Sequence, residues 1–112
     1  MLSINYTDEQ GTQHPQSVWA IRILNFSLES PTQGIATVTL LGWRDLSEMD
    51  QALPPVGIHS FNLEGSLFQN HVLVPLAAGA SLFDSLYSAA RNQMFTLASG
   101  DVIQLFQNAQ TV

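Results

Sequence analysis

The sequence predicts a β-rich α+β fold in which a small antiparallel sheet is covered by one helix. Three observations carry this. The stretch 17–43 reads as a hairpin, with strands on either side of "SPTQG" (30–34), where a Pro and a Gly flank polar residues. "IHSFNLE" (58–64) alternates His59, Phe61 and Leu63 with Ser60, Asn62 and Glu64, as a half-buried strand does. "SLFDSLYSAARNQ" (81–93) places Leu82, Leu86, Ala89 and Ala90 at i, i+4, i+7 and i+8, which is one face of a helix.

Along the chain, "LSINYTD" (2–8) alternates weakly and runs into "DEQGTQHPQ", where Gly11 and Pro15 mark a turn. "SVWAIRILNFSLES" (17–30) is rich in β-branched and aromatic residues. Its second half sets Leu24, Phe26 and Leu28 against Asn25 and Ser27. "RDLSEMDQALPPVG" (44–57) has room for one short helical turn before Pro54 and Pro55 stop it. "SLFQNHVLVPLAAGA" (66–80) reads as mostly extended, interrupted by Pro75 and Gly79. In 81–93, Ser81 caps the helix, Asp84 sits where a capping box needs a carboxylate, and Arg91 suits the C-terminal dipole. "VIQLF" (102–106) is a last short strand before a C-terminal tail.

"GIATVTLLGWRD" (34–45) poses a problem for this scheme. Ile35, Ala36, Val38, Leu40, Leu41 and Trp43 leave only Thr37 and Thr39 between them, so both faces of the strand avoid water. One helix covers one face. The expectation is that the other meets a partner, with Ile35, Leu41, Trp43 and Trp19 as candidate interface residues.

The 112 residues allow a single domain, 1–112. Charged residues make up 11% of the chain, under half of the roughly 25% usual in soluble domains. Arg22, Arg44 and Arg91 are the only Lys or Arg side chains, and the net charge is −6. Nucleic-acid binding and membrane-surface binding both depend on clustered cations, so neither is expected. With no cysteine there is no disulfide framework, thiolate metal site or Cys nucleophile. The N-terminal residues have neither the basic nor the long apolar stretch of a signal peptide. No apolar run approaches the ~20 residues of a membrane span.

Chemistry-bearing patterns are sparse. His14, His59 and His71 have no metal-ligand spacing and read as ordinary surface or core histidines. In "DLSEMD", Asp45, Glu48 and Asp50 are close together, but a calcium loop needs more oxygen ligands and a glycine bend, so a solvated turn is expected. No nucleophile elbow, phosphate-binding loop or zinc-protease motif is present. Trp19 and Trp43 could in principle stack on a sugar, but packing in a core or interface suits them better. The sequence therefore implies a non-enzyme with no cofactor and no metal.

Three segments together resemble a known group. "YTDEQGTQHPQSVWAIR" is similar to a Y-T-D-x-x-G-x-x-x-P signature followed by an aromatic residue and Arg. "GWRD" matches a Gly-aromatic-x-Asp that closes the second hairpin strand. "PVGIHSFNLEG" matches a Gly-x-x-Ser-aromatic-x-aliphatic-x-Gly stretch. This order resembles small virion proteins of tailed bacteriophages and prophages. The resemblance implies a structural role in the tail or baseplate, synthesis in the bacterial host cytoplasm, and contacts with other virion proteins and with copies of the chain itself. A capsid decoration (cement) protein is the nearest alternative, and a glycan-binding host-recognition module is a third. The group brings no activity and no site residues to carry over.

Overall fold

A computed structural model describes residues 1–97 and 99–112. Among these, a five-stranded antiparallel sheet runs in the order β4-β3-β2-β1-β7. Its strands are β1 (Leu2–Thr7), β2 (Gln13–Ser30), β3 (Gln33–Trp43), β4 (Gly57–Glu64) and β7 (Gln110–Thr111). A second, two-stranded sheet pairs β5 (Phe95–Thr96) with β6 (Val102–Ile103). Short α1 (Leu46–Asp50) joins β3 to β4, and α4 (Leu82–Asn92) is the longest helix. The hairpin, the third strand and the covering helix stand where the sequence puts them, in a β-rich α+β fold.

The long hairpin explains its own irregular pattern. Trp19 and Ile21 face the helices, but so do Leu24, Phe26 and Leu28, because a bulge between Ile21 and Ile23 inserts an extra residue. The bulge switches the inward-facing positions from odd to even numbers. In β3 the inward set is Ala36, Val38 and Leu40, all fully buried.

The stretch 66–80 corrects the extended reading. It is a helical run: α2 (Ser66–Phe68), a π-helical turn (Gln69–Leu73) and α3 (Val74–Ala77). Phe68 and Val72, one turn apart, are the buried positions that hold it to the core. Pro75 has no N–H for the carbonyl four residues back, that of His71. The wider π turn accommodates the ring, and the Ser85 hydroxyl of α4 donates to that His71 carbonyl at 2.8 Å. Ser85→Ala is therefore expected to lower stability by about 1 kcal/mol, read as a reduced midpoint in urea, by leaving the carbonyl without its partner. An unchanged midpoint would mean that solvent satisfies it.

The C-terminus is the other correction. It is not a free tail: Gln110 and Thr111 pair with Ser3 and Leu2, and Arg91 Nη2 donates to Thr111 Oγ1 at 2.7 Å. A two-residue polar strand has no periodicity to detect. The "VIQLF" strand is shorter than expected, with Phe106 fully buried beyond its end.

The core lies between the sheet and the helical layer. Capped by Ser81, whose hydroxyl accepts the Asp84 N–H, α4 buries Leu86, Ala89 and Ala90. Trp19 is fully buried, with ring centroids 4.9 Å from Tyr6, 5.5 Å from His59 and 5.3 Å from Phe106. Its indole lies across Gly42 and Gly57, which pair with each other on β3 and β4. A Cβ at Gly42 would sit 2.4 Å from the indole, and one at Gly57 2.6 Å from it. Glycine inside a strand commonly marks such a close approach.

Candidate functional site

The four candidate interface residues divide into two pairs. Trp19 is internal, so its assignment to a surface is corrected: the bare backbone at Gly42 and Gly57 makes a slot for it in the core. Trp43 is also turned in, although it lies on the outer face of the sheet. Its Nε1–H donates to the Leu53 carbonyl at 2.6 Å, and the Arg22 guanidinium lies 5.4 Å from its ring centroid. The chain's own 44–56 segment thus covers the Trp43 end of the second face. Neither tryptophan presents a ring on which a sugar could stack.

Ile35 and Leu41 are half-buried and remain on the open part of that face. Leu41 lies in a cross-strand row with Ala20 and Ile58, and Ile35 in a row with Ser27 and Glu64. Between them Thr39 Oγ1 bonds Ser60 Oγ at 2.7 Å, and Thr37 Oγ1 donates to Asn62 Oδ1 at 2.9 Å. These short polar side chains satisfy one another across β3 and β4, leaving a face of low charge. Ile58 (61% exposed) and Ile23 (48%) flank it.

Two strand edges are also open. β4 is the last strand on its side of the sheet, so one edge of its whole length, Gly57–Glu64, has no pairing strand among the described residues. On the other side, β1 pairs with β2 only between Gln13 and Trp19. The far half of β2, which no sequence signal marked, is unpaired on that side. An unpaired edge is a row of N–H and C=O groups ready to accept another strand.

An open cleft of about 1200 Å³ lies between the β1–β2 turn, the start of β4 and the segment after β5, with Asp8, Glu9, Leu41, Gly57 and His59 among its lining residues. The Asp8 carboxylate has structural work. Asp8 Oδ1 accepts the N–H groups of Gln10 and Thr12, which closes the turn where Gly11 takes φ +82°. Asp8 Oδ2 lies 2.8 Å from His14 Nε2, and that bond, ahead of the Thr12 N–H, holds the carboxyl below its ordinary value. Asp45 caps α1 by accepting the Glu48 N–H at 2.9 Å, while Glu48 takes the Arg44 Nε–H at 3.1 Å. Among the described residues, no three His, Cys, Asp or Glu side chains are grouped to hold a metal.

His59 is the unusual histidine. Its ring sits among Tyr6, Trp19 and Phe95, and its Nε2 is buried with no hydrogen-bond partner among the described residues. Burial pushes its pKa below the ordinary imidazole value, because the cation loses its water there. The unfolded chain then binds the proton more readily. Stability is full above the unfolded value of about 6.5 and falls as pH drops from there through the folded value. Urea midpoints are expected to fall between pH 8 and pH 5, and His59→Phe is expected to flatten that fall. An equally steep fall in the variant would assign the effect to other groups.

Fold and surface together define a small sheet protein with open edges and an outer face of low charge. No family model, curated protein or solved structure matches the chain. Among the described residues, no helix is long and apolar enough to cross a membrane.

Proposed function

We propose that this chain is a structural protein of a tailed-bacteriophage virion, in the tail or baseplate region, acting through contacts with other virion proteins and with copies of itself. The observation that carries this reading is the pair of open strand edges, on β4 and on the far half of β2. Soluble monomers usually blunt such edges with Lys, Pro or a covering loop. Here lysine is absent and only 11% of residues are charged. The three signature segments of the phage-like resemblance fit a scaffold role. Asp8 and Gly11 build a turn, Gly42 and Gly57 seat Trp19, and Asp45 caps α1.

The test is mass spectrometry of density-purified particles from the host culture that produces the chain, with tail and head fractions separated. The expected result is the chain in the tail fraction, at copy numbers comparable with other structural proteins. Particles that lack it would overturn the reading, and its presence in the head fraction alone would move it to a decoration role.

A further inference from the structure

We infer that the free edge of β2 is a self-pairing surface, on which a second copy of this chain docks antiparallel about Phe26. This rests on the reading of the chain as an assembly protein and names one contact that it makes.

The edge begins at an identifiable point. β1 stops pairing at Trp19, and the N–H of Ile21, two residues on, donates to the Tyr87 hydroxyl of α4 at 3.0 Å. Beyond it no strand pairs on that side among the described residues. Register shifts occur between Ile21 and Ile23 and between Leu28 and Ser30, and the residues they skip are Arg22 and Glu29. These are the only charges of this half-strand, so both edge-protecting devices, bulge and charge, stand at its two ends. The interior, "ILNFSL" (23–28), has no charge, no Pro and no Gly. An uncharged, β-prone segment of this length on an open edge is a site of strand addition.

Its side chains are self-complementary. Antiparallel pairing about a two-fold axis normal to the sheet keeps inward faces together, so like faces must oppose. Centred on Phe26, Leu24 opposes Leu28 of the second copy, Phe26 opposes Phe26, and Asn25 opposes Ser27. Centring on Asn25 would set Leu28 against Arg22, and centring on Ser27 would set Leu24 against Ser30. The Phe26 register alone pairs the three inward-facing apolar residues, Leu24, Phe26 and Leu28, while outward-facing Ile23 lies opposite Glu29. It covers Phe26 and Leu28, which are 44% and 64% exposed beyond the helical layer. It also places Arg22 of each copy opposite Ser30 of the other, one position from Glu29, so charges of opposite sign come near each other although the whole chain carries −6. The β4-β3-β2 strands of both copies then form one continuous sheet, with a β4 edge free at either end.

The chain has no cysteine, so single substitutions report contacts cleanly. Opposed residues in antiparallel strands have Cα atoms about 4.5–5.5 Å apart, within disulfide range. Under mild oxidation Phe26→Cys is expected to cross-link to itself. Leu24→Cys and Leu28→Cys should each stay single alone and cross-link when mixed. In sedimentation, the unmodified chain is expected to run as a dimer at tens of micromolar. Phe26→Lys and Leu28→Lys should run as monomers with unchanged circular dichroism; the Phe26 ring lies edge-on to Phe68 with centroids 6.5 Å apart, and Leu28→Lys leaves that contact in place. A monomer at every concentration overturns the inference, as does Phe26→Cys cross-linking no faster than Ser88→Cys on exposed α4. So does protection of that cysteine only by a different virion protein. A monomeric chain still found in particles would leave the assembly reading standing, whereas a dimer absent from particles would remove that reading and leave the dimer.

Discussion

Gly42→Val is expected to unfold the chain. The Cβ alone would sit 2.4–2.6 Å from three atoms of the Trp19 ring, and valine adds two further carbons. The indole is fully buried, with Tyr6, His59 and Phe106 against it, so it has no space to retreat into. Overpacking by even one methyl group typically costs about 1–3 kcal/mol. Three carbons against a fixed ring should consume most of the roughly 5–15 kcal/mol that holds a domain of this size. Gly42→Ala should fold with a midpoint lowered by about 5–15 °C. Trp19→Leu should cost about 3 kcal/mol alone but much less when combined with Gly42→Ala, since the clash needs both partners. Thermal melts of the four proteins check this. Strict additivity would mean that the ring does not lie on Gly42.

The second large effect is on assembly. Leu41→Lys is expected to leave the monomer folded and to exclude it from particles. Leu41 is half-buried between Ala20 and Ile58 on the outer face, so a lysine there can lift its ammonium into water at a cost of about 1 kcal/mol. Against a partner the same ammonium is trapped. The lost apolar contact is worth about 1.5–3 kcal/mol, and an unpaired buried charge costs more. Together these exceed a hundredfold in affinity. Far-ultraviolet circular dichroism and incorporation into particles, measured on one preparation, check the two halves. A mutant that folds and incorporates normally would mean that this face looks at solvent. One that fails to fold would place Leu41 in the core.

Much of the fold was legible because hydrophobic spacing survives in single elements. Leu24, Phe26 and Leu28 announce one strand, His59, Phe61 and Leu63 another, and the 82–90 stripe the helix. Four features were not legible, each for a physical reason. Pro75 and Gly79 read as breaks in 66–80, but a π turn and the Ser85 hydroxyl absorb the proline. The two polar residues of β7 carry no pattern. The tryptophans, read as packed in a core or an interface, are buried within the chain by partners distant in sequence: Gly57 and Tyr6 for Trp19, Leu53 for Trp43. A signal for the first did exist. Gly42 interrupts a strand-like run and Gly57 opens one, and a strand glycine with a large aromatic nearby in the sheet marks a ring lying on the backbone. The doubly apolar look of "GIATVTLLGWRD" has a divided answer. Its Trp43 end is covered by the 44–56 segment, and its Ile35–Leu41 part stays open. The free edge of β2 was hidden because nothing in either strand's own sequence states where β1 stops.

The claim at the centre of this account is that open strand edges are contact surfaces, and amide hydrogen exchange along β4 tests it most directly. In the isolated chain, the amides of 57–64 that point away from β3 should exchange rapidly, having no strand beside them. In intact particles those same amides should be protected by at least a hundredfold, because a neighbouring chain has added a strand. Equal, rapid exchange in both samples would contradict the account and leave the β4 edge exposed to water in the assembled state.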